Sequence, residues 1–121
     1  TTARDMALIV SAAMDNETIA GIAQEKRFSG NGAGEKLESD STIVSNDYTW
    51  KSHNLLITEG EYYYEFATGM KTGFTNAAGE CLIASATRKG HTMIVVMLND
   101  DNRWEEAVQF LDYGFKLRGV I

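Results

Sequence analysis

Proline is absent from the 121 residues, and that absence by itself indicates no function. Cysteine is nearly absent: Cys81 stands alone, so no intramolecular disulfide can form. A lone cysteine in an apolar run behaves as a small buried hydrophobe and not as a catalytic thiol. No stretch reaches the ~20 apolar residues of a membrane span. No signal-peptide pattern is visible, but the chain begins at Thr1 inside what reads as a helix cap, so this says little about compartment. Basic residues are the minority, 11 Lys and Arg against 17 Asp and Glu, for a formal net charge of -6. That balance leaves no electrostatic footprint for nucleic acid and no polybasic anchor for anionic membranes. His53 and His91 are far apart with no second ligand at metal spacing, so neither a metal site nor a cofactor is expected. The glycine-rich run Gly30-Asn31-Gly32-Ala33-Gly34 lacks the preceding strand and following helix that a phosphate-binding loop requires, and reads as a turn.

What is present suits a packed domain or a piece of one: 44% hydrophobic and 10% aromatic residues. Thr1 and Thr2 are N-cap types, with Asp5 in the first turn. Met6, Ile9, Val10, Ala13 and Met14 then follow the helical i, i+3, i+4 spacing. Asp15-Asn16 ends that helix and caps a second, with the stripe Ile19, Ile22 and Ala23 and the cations Lys26 and Arg27 near its end. Residues Ser29 to Ser41 read as a loop, and Thr42 to Ser45 as a short strand. Tyr62, Tyr63 and Tyr64 read as amphipathic cover over a core edge.

The second half is the clearest. Met70 to Phe74 reads as the end of one strand, Glu80 to Thr87 as a second and His91 to Leu98 as a third. Arg88-Lys89-Gly90 makes the hairpin turn between the last two. The unbroken apolar run Met93 to Leu98 predicts a strand buried on both faces. Asn102 and Glu105 have capping-box spacing. Trp104, Val108, Leu111 and Phe115 form a helical stripe that packs back on the sheet. The expected order is helix, helix, loop, three strands, helix: an α+β fold with an antiparallel sheet flanked by helices, and no internal repeat.

Lys71-Thr72-Gly73 is a weak motif alone, but its surroundings are specific. The run from Gly69-Met70-Lys71-Thr72-Gly73-Phe74-Thr75-Asn76 through Ala77-Ala78-Gly79-Glu80-Cys81-Leu82 to Arg88 closely resembles the corresponding stretch of serine D-alanyl-D-alanine carboxypeptidases, the low-molecular-weight penicillin-binding proteins. Thr1-Thr2-Ala3-Arg4-Asp5-Met6-Ala7-Leu8-Ile9 looks like the helix that follows the family's Ser-x-Asn motif. Arg103 and the helix through Leu111-Asp112-Tyr113-Gly114-Phe115 look like its closing helix. The resemblance runs over nearly the whole chain and is weakest from Arg27 to Thr49.

The resemblance implies a β-lactamase/transpeptidase-like fold, with residues 1–121 as the C-terminal part of the catalytic domain. It also implies removal of the terminal D-Ala from peptidoglycan stem peptides through an acyl-enzyme, inhibition by β-lactams, and an extracytoplasmic location in bacteria. By the same resemblance Lys71 supplies positive potential near the nucleophile and Thr72 offers a hydroxyl to the substrate carboxylate. Gly73 lets the substrate backbone lie against the strand, and the Phe74 N–H is an oxyanion donor. Thr75 is a further binding candidate that would alternatively stabilise the turn. Arg103 stands at the place of the carboxylate-binding arginine, a role suited to two parallel hydrogen bonds; the bland reading is a first-turn surface residue.

The family's nucleophile motif, Ser-x-x-Lys, is missing. Ser11, Ser29, Ser39, Ser41, Ser45, Ser52 and Ser85 are each followed at the third position by a residue other than lysine. Ser29-Gly30-Asn31 and Ser52-His53-Asn54 match Ser-x-Asn by letter. The first lies after the helix that the family's motif precedes, and reads as coincidence. The chain alone is therefore expected to be inactive, to expose a strand edge and apolar surface, and to be prone to self-association. The competing readings are a non-catalytic module of the same fold that binds peptidoglycan or a partner protein, and a β-lactamase. The latter would need a water-activating carboxylate that has no evident place here.

Overall fold

The computed structural model describes residues 1–33 and 45–121. Helix α1 (Ala3–Met14) begins at a complete capping box: the Thr2 hydroxyl accepts from the Asp5 amide at 3.1 Å and the Asp5 carboxylate accepts from the Thr2 amide at 3.3 Å. Asp15 closes α1. The Asn16 carboxamide caps α2 (Glu17–Ala23), accepting from the Thr18 and Ile19 amides. Both helix starts are where the sequence puts them. The expected apolar stripes are not core stripes, however. In α1 only Val10 is buried, and Ile9 is exposed. In α2 no residue is buried, and Ile22 is 68% exposed.

The expected loop from Ser29 to Ser41 is corrected over its first five residues, and residues 34–41 lie outside the described residues. Arg27–Ala33 forms β1, which pairs antiparallel with β2 (Ser45–Lys51) from Arg27↔Lys51 to Ala33↔Ser45. Arg27 thus opens a strand and does not end a helix. Cross-strand side chains drive this pairing: Phe28 stacks on Trp50 at 5.8 Å and the Ser29 and Thr49 hydroxyls meet at 3.1 Å, while within β2 Tyr48 stacks on Trp50 at 5.5 Å. The glycines of β1 concealed it, because glycine weakens intrinsic strand preference. Gly30 lies beneath this stack, where a Cβ would crowd the Phe28 ring. Of the expected strand Thr42 to Ser45, only Ser45 lies within the described residues, as the first residue of β2.

The three later strands match expectation. β3 (Ala67–Thr75), β4 (Gly79–Arg88) and β5 (His91–Met97) form an antiparallel sheet in the order β3-β4-β5. Among the described residues, β3 and β5 are therefore its outer strands. α3 (Arg103–Leu117) packs on β4 and β5. Leu82, Ala84 and Ala86, at alternating positions of β4, form with Met97, Ala107, Leu111, Phe115, Leu56 and Val120 one buried cluster. Burying each Leu or Phe there stabilises the fold by about 1.5–3 kcal/mol. Tyr62, Tyr64 and Phe66 pack on its edge, as cover for a core border.

Two local expectations fail. The run Met93 to Leu98 is not buried throughout: Met97 is buried, Met93 to Val96 are half-buried and Leu98 is exposed. No capping box forms at Asn102, whose side chain makes no cap hydrogen bond; the Asp100 carboxylate accepts from the Asn102 amide at 2.8 Å. Asp100 thus organises the approach to α3 that the spacing assigned to Asn102.

Candidate functional site

The residues singled out by the sequence converge on β3. Lys71, Thr72, Gly73 and Phe74 line an open cleft of about 440 Å³ together with His53, Glu80 and Arg103. A smaller cleft, about 190 Å³, adjoins it and is lined by Lys51 to Asn54 and Met70 to Thr72. Arg103, the first residue of α3, is thereby brought beside a strand 30 positions away in sequence. Thr75 is not brought into the cleft. Its hydroxyl accepts from the Ala78 amide at 3.0 Å and closes the turn to β4.

Strand register fixes which groups face outward. The Asp100 amide donates to the Glu80 carbonyl at 2.8 Å, on the side of β4 away from β3. Glu80 pairs with Phe74 and Leu82 with Thr72. In an antiparallel ladder the two backbone groups of one residue point to the same side, and hydrogen-bonded and open pairs alternate. Phe74↔Glu80 and Thr72↔Leu82 are therefore open pairs, and the backbone N–H and C=O of Thr72 and Phe74 face the edge of β3 that is unpaired among the described residues. The Thr87 amide, which donates to the Phe66 carbonyl at 2.9 Å, shows the complementary phase. Lys71 covers part of this edge: its ammonium donates to the Thr72 carbonyl at 2.5 Å.

The side chains alternate as well. Thr72 and Phe74 share a face with Leu82 and Glu80, and Arg103 reaches that face from α3. Lys71 and Gly73 point to the other face, with Ile83 and Cys81. Phe74 is 62% exposed. A Cβ on Gly73 would meet only the Cys81 Cβ, at an ordinary 3.8 Å, so packing within the chain does not demand glycine there. Arg103 is not a free surface residue. Its side chain is 15% exposed, its Nη1 forms an ion pair with Glu80, and its guanidinium lies 4.9 Å from the Trp104 ring centroid.

Three cleft residues are not among the site candidates that the sequence offers. His53 faces Lys71 and Thr72 in both clefts but stands 18 positions before the triplet, with only the letter match Ser52-His53-Asn54 around it. Glu80 is visible in sequence only as the residue after a turn glycine. Asn54, 3% exposed, lines the smaller cleft, and its Oδ1 accepts from the Leu56 amide at 3.0 Å. That bond orients the carboxamide and leaves Nδ2 without a partner.

With this geometry in place, comparison with known proteins is decisive. Residues 1–102 match the family model described as D-alanyl-D-alanine carboxypeptidase. The chain belongs to this family. It is 32% identical over 119 residues to the D-alanyl-D-alanine carboxypeptidase of Streptomyces sp. (strain K15), a match covering 96% of this chain and 38% of that protein. It is 30% identical over 124 residues to D-alanyl-D-alanine carboxypeptidase DacB2 of Mycobacterium tuberculosis, covering 96% and 37%.

The solved structures agree. The crystal structure of the Streptomyces K15 DD-transpeptidase superposes with a TM-score of 0.82 at 31% identity, covering 96% of this chain and 42% of that one. The D-alanyl-D-alanine carboxypeptidase from Mycobacterium tuberculosis H37Rv gives 0.72 at 27% identity, covering 96% and 40%. The fold is thus that of the penicillin-binding, β-lactamase-like DD-peptidases, of which this α+β chain holds a part. The chain spans about two fifths of the length of the relatives it matches.

Proposed function

We propose that this carboxypeptidase-family chain supplies the strand wall of a serine-type D-alanyl-D-alanine carboxypeptidase site, with the nucleophilic serine and its lysine partner outside these 121 residues. The observation that carries the reading is the outer edge of β3, unpaired among the described residues. It presents the Phe74 N–H and the Thr72 C=O beside Lys71, with Arg103 in the same cleft. A peptide end laid along that edge adds a strand, with main-chain hydrogen bonds for affinity.

In this arrangement the serine oxygen attacks the carbonyl of the penultimate D-Ala. The Phe74 N–H donates to the oxygen on which negative charge develops. The bond to the terminal D-Ala breaks, that residue leaves as the free amino acid with the proton lost by the serine, and water then releases the acyl group. Lys71 supplies positive potential near the serine, and its ammonium leaves the Thr72 carbonyl when a ligand takes that acceptor. Thr72 and Arg103 hold the terminal carboxylate, and Gly73 leaves the strand surface clear. The substrate is the stem peptide of peptidoglycan, which places the reaction outside the cytoplasmic membrane, and β-lactams are the expected inhibitors. No cofactor enters these steps.

Acylation by a fluorescent penicillin tests the reading. The pure 121-residue chain is expected to show neither labelling nor turnover of D-Ala-D-Ala peptides, and a version extended upstream from its own gene is expected to label. Turnover by the 121-residue chain would refute the missing nucleophile. A folded longer version that does not label would leave a non-catalytic module that binds peptidoglycan or a partner. In the short chain the outer strand edges and the exposed Leu8, Ile9 and Ile22 favour self-association, which sedimentation measures.

A further inference from the structure

The ion pair between Arg103 and Glu80 changes what the cleft can hold. Glu80, the second residue of β4, stands directly opposite Phe74, and its carboxylate is on the face that α3 reaches with Arg103. Arg103 Nη1 and Nε and Glu80 Oε2 are all shut off from solvent. The expected two-point grip on a ligand carboxylate therefore loses one edge of the guanidinium to a resident carboxylate, and Nη2 is the nitrogen left for the cleft. Contact with Trp104 keeps the guanidinium from swinging away. Among the cleft-lining residues the charged groups are Lys71, Arg103 and Glu80, so Glu80 lowers the formal charge of the lining from +2 to +1 with His53 neutral.

We propose that Glu80 is a specificity-determining residue: it shares Arg103 with the incoming ligand and limits how strongly the cleft prefers a free C-terminal carboxylate to an uncharged terminus. The inference rests on the reading that this cleft takes the C-terminal carboxylate. Glu80 side-chain exposure is 35%, so its charge is felt by a ligand in the cleft without being fully screened. Two carboxylates competing for one guanidinium repel each other, and removing the resident charge while keeping its shape relieves that repulsion. A residue that merely satisfied Arg103 would give the opposite result, since its loss would leave a buried cation unpaired and weaken the site.

The test is an NMR titration of the 15N-labelled chain, following the backbone amides of Gly73 and Phe74. The probes are N-acetyl-D-Ala-D-Ala and its C-terminal amide. The unmodified chain is expected to prefer the carboxylate by less than about ten-fold, because a neutralised guanidinium discriminates weakly. Glu80→Gln is expected to tighten carboxylate binding roughly three- to ten-fold and to leave the amide unchanged. Glu61→Gln makes the same change in net charge at an exposed position away from the cleft, and is expected to move neither constant.

Carboxylate binding that is unchanged or weaker in Glu80→Gln overturns the proposal. So does a preference above about a hundred-fold in the unmodified chain, a result that needs no variant and that a neutralised guanidinium would not give. If neither probe shifts Gly73 or Phe74 in the unmodified chain, the carboxylate reading of the cleft itself fails, and the role of Glu80 with it.

Discussion

Tyr64 donates its hydroxyl proton to Asp112 at 2.6 Å, and this bond fastens the segment leading into β3 to the middle of α3. Tyr64 also packs edge-on against Phe66, which supports the guanidinium of Arg88 at 4.4 Å. Burial, followed by the hydrogen bond to Asp112 and the Asp112 charge, pushes the Tyr64 phenol above its ordinary value near 10. Tyr64→Phe removes a hydrogen bond to a charged acceptor and is expected to cost about 1.5–3 kcal/mol in denaturant unfolding. The sign with pH follows from the raised value. The folded state holds this proton more tightly than the unfolded chain, so the contribution is complete below pH 10 and declines as pH rises above it. Unfolding midpoints measured from pH 8 to 11 should therefore fall more steeply in the parent chain than in Tyr64→Phe.

Gly73 separates folding from binding. The chain tolerates a Cβ there, since only the Cys81 Cβ stands nearby. A β-branched residue also suits a strand better than glycine does. Gly73→Val is expected to leave the unfolding midpoint unchanged or slightly raised. If a ligand strand lies against this position, the same change should reduce penicillin labelling of the longer polypeptide at least about ten-fold, the rate equivalent of ~1.4 kcal/mol. Equal labelling with intact stability would mean that the ligand does not lie along β3.

Gly79 makes the contrasting case. Its φ of +67° lies in the left-handed region, and a Cβ would run into the Asn99 side chain. Gly79→Ala is expected to destabilise by about 1–3 kcal/mol, from backbone strain together with the clash. Thermal unfolding of the variant measures it. Because Gly79 precedes Glu80, the loss should be accompanied by a shift of the Arg103 side-chain NMR signal.

The contrast between these glycines shows what was legible. Local signals were read well: Thr2 with Asp5 at one helix start, Asn16 at the next, and Lys89-Gly90 in the hairpin whose residues have φ of 49° and 76°. The Lys71-Thr72-Gly73 strand was found because its flanking residues are distinctive as a run. Features made by distant pairs were not legible. β1 exists through Phe28 meeting Trp50 across the ribbon, and its own residues argue for a loop. Glu80 acquires meaning only when α3 returns Arg103 to it, and His53 only when the segment after β2 passes Lys71. Even the stripe in α2 misled, because spacing specifies an apolar face but not what covers it.

Thr72 and Thr75 stand three residues apart on β3 and were both binding candidates, yet their hydroxyls have different surroundings. Thr75 is committed to the Ala78 amide, so Thr75→Val is expected to cost about 1 kcal/mol of stability through the turn. It should leave ligand affinity unchanged. Thr72 lines both clefts, and among the described residues its hydroxyl has no hydrogen-bond partner. Thr72→Val keeps the shape and the strand preference, and is expected to be neutral for stability. For N-acetyl-D-Ala-D-Ala it should weaken binding roughly ten- to 150-fold, the equivalent of one hydrogen bond to a charged group. The two variants thus exchange their effects between unfolding and titration. Should Thr75→Val weaken the ligand and Thr72→Val spare it, the carboxylate would sit at the turn end of β3 and the roles of these two threonines would be reversed.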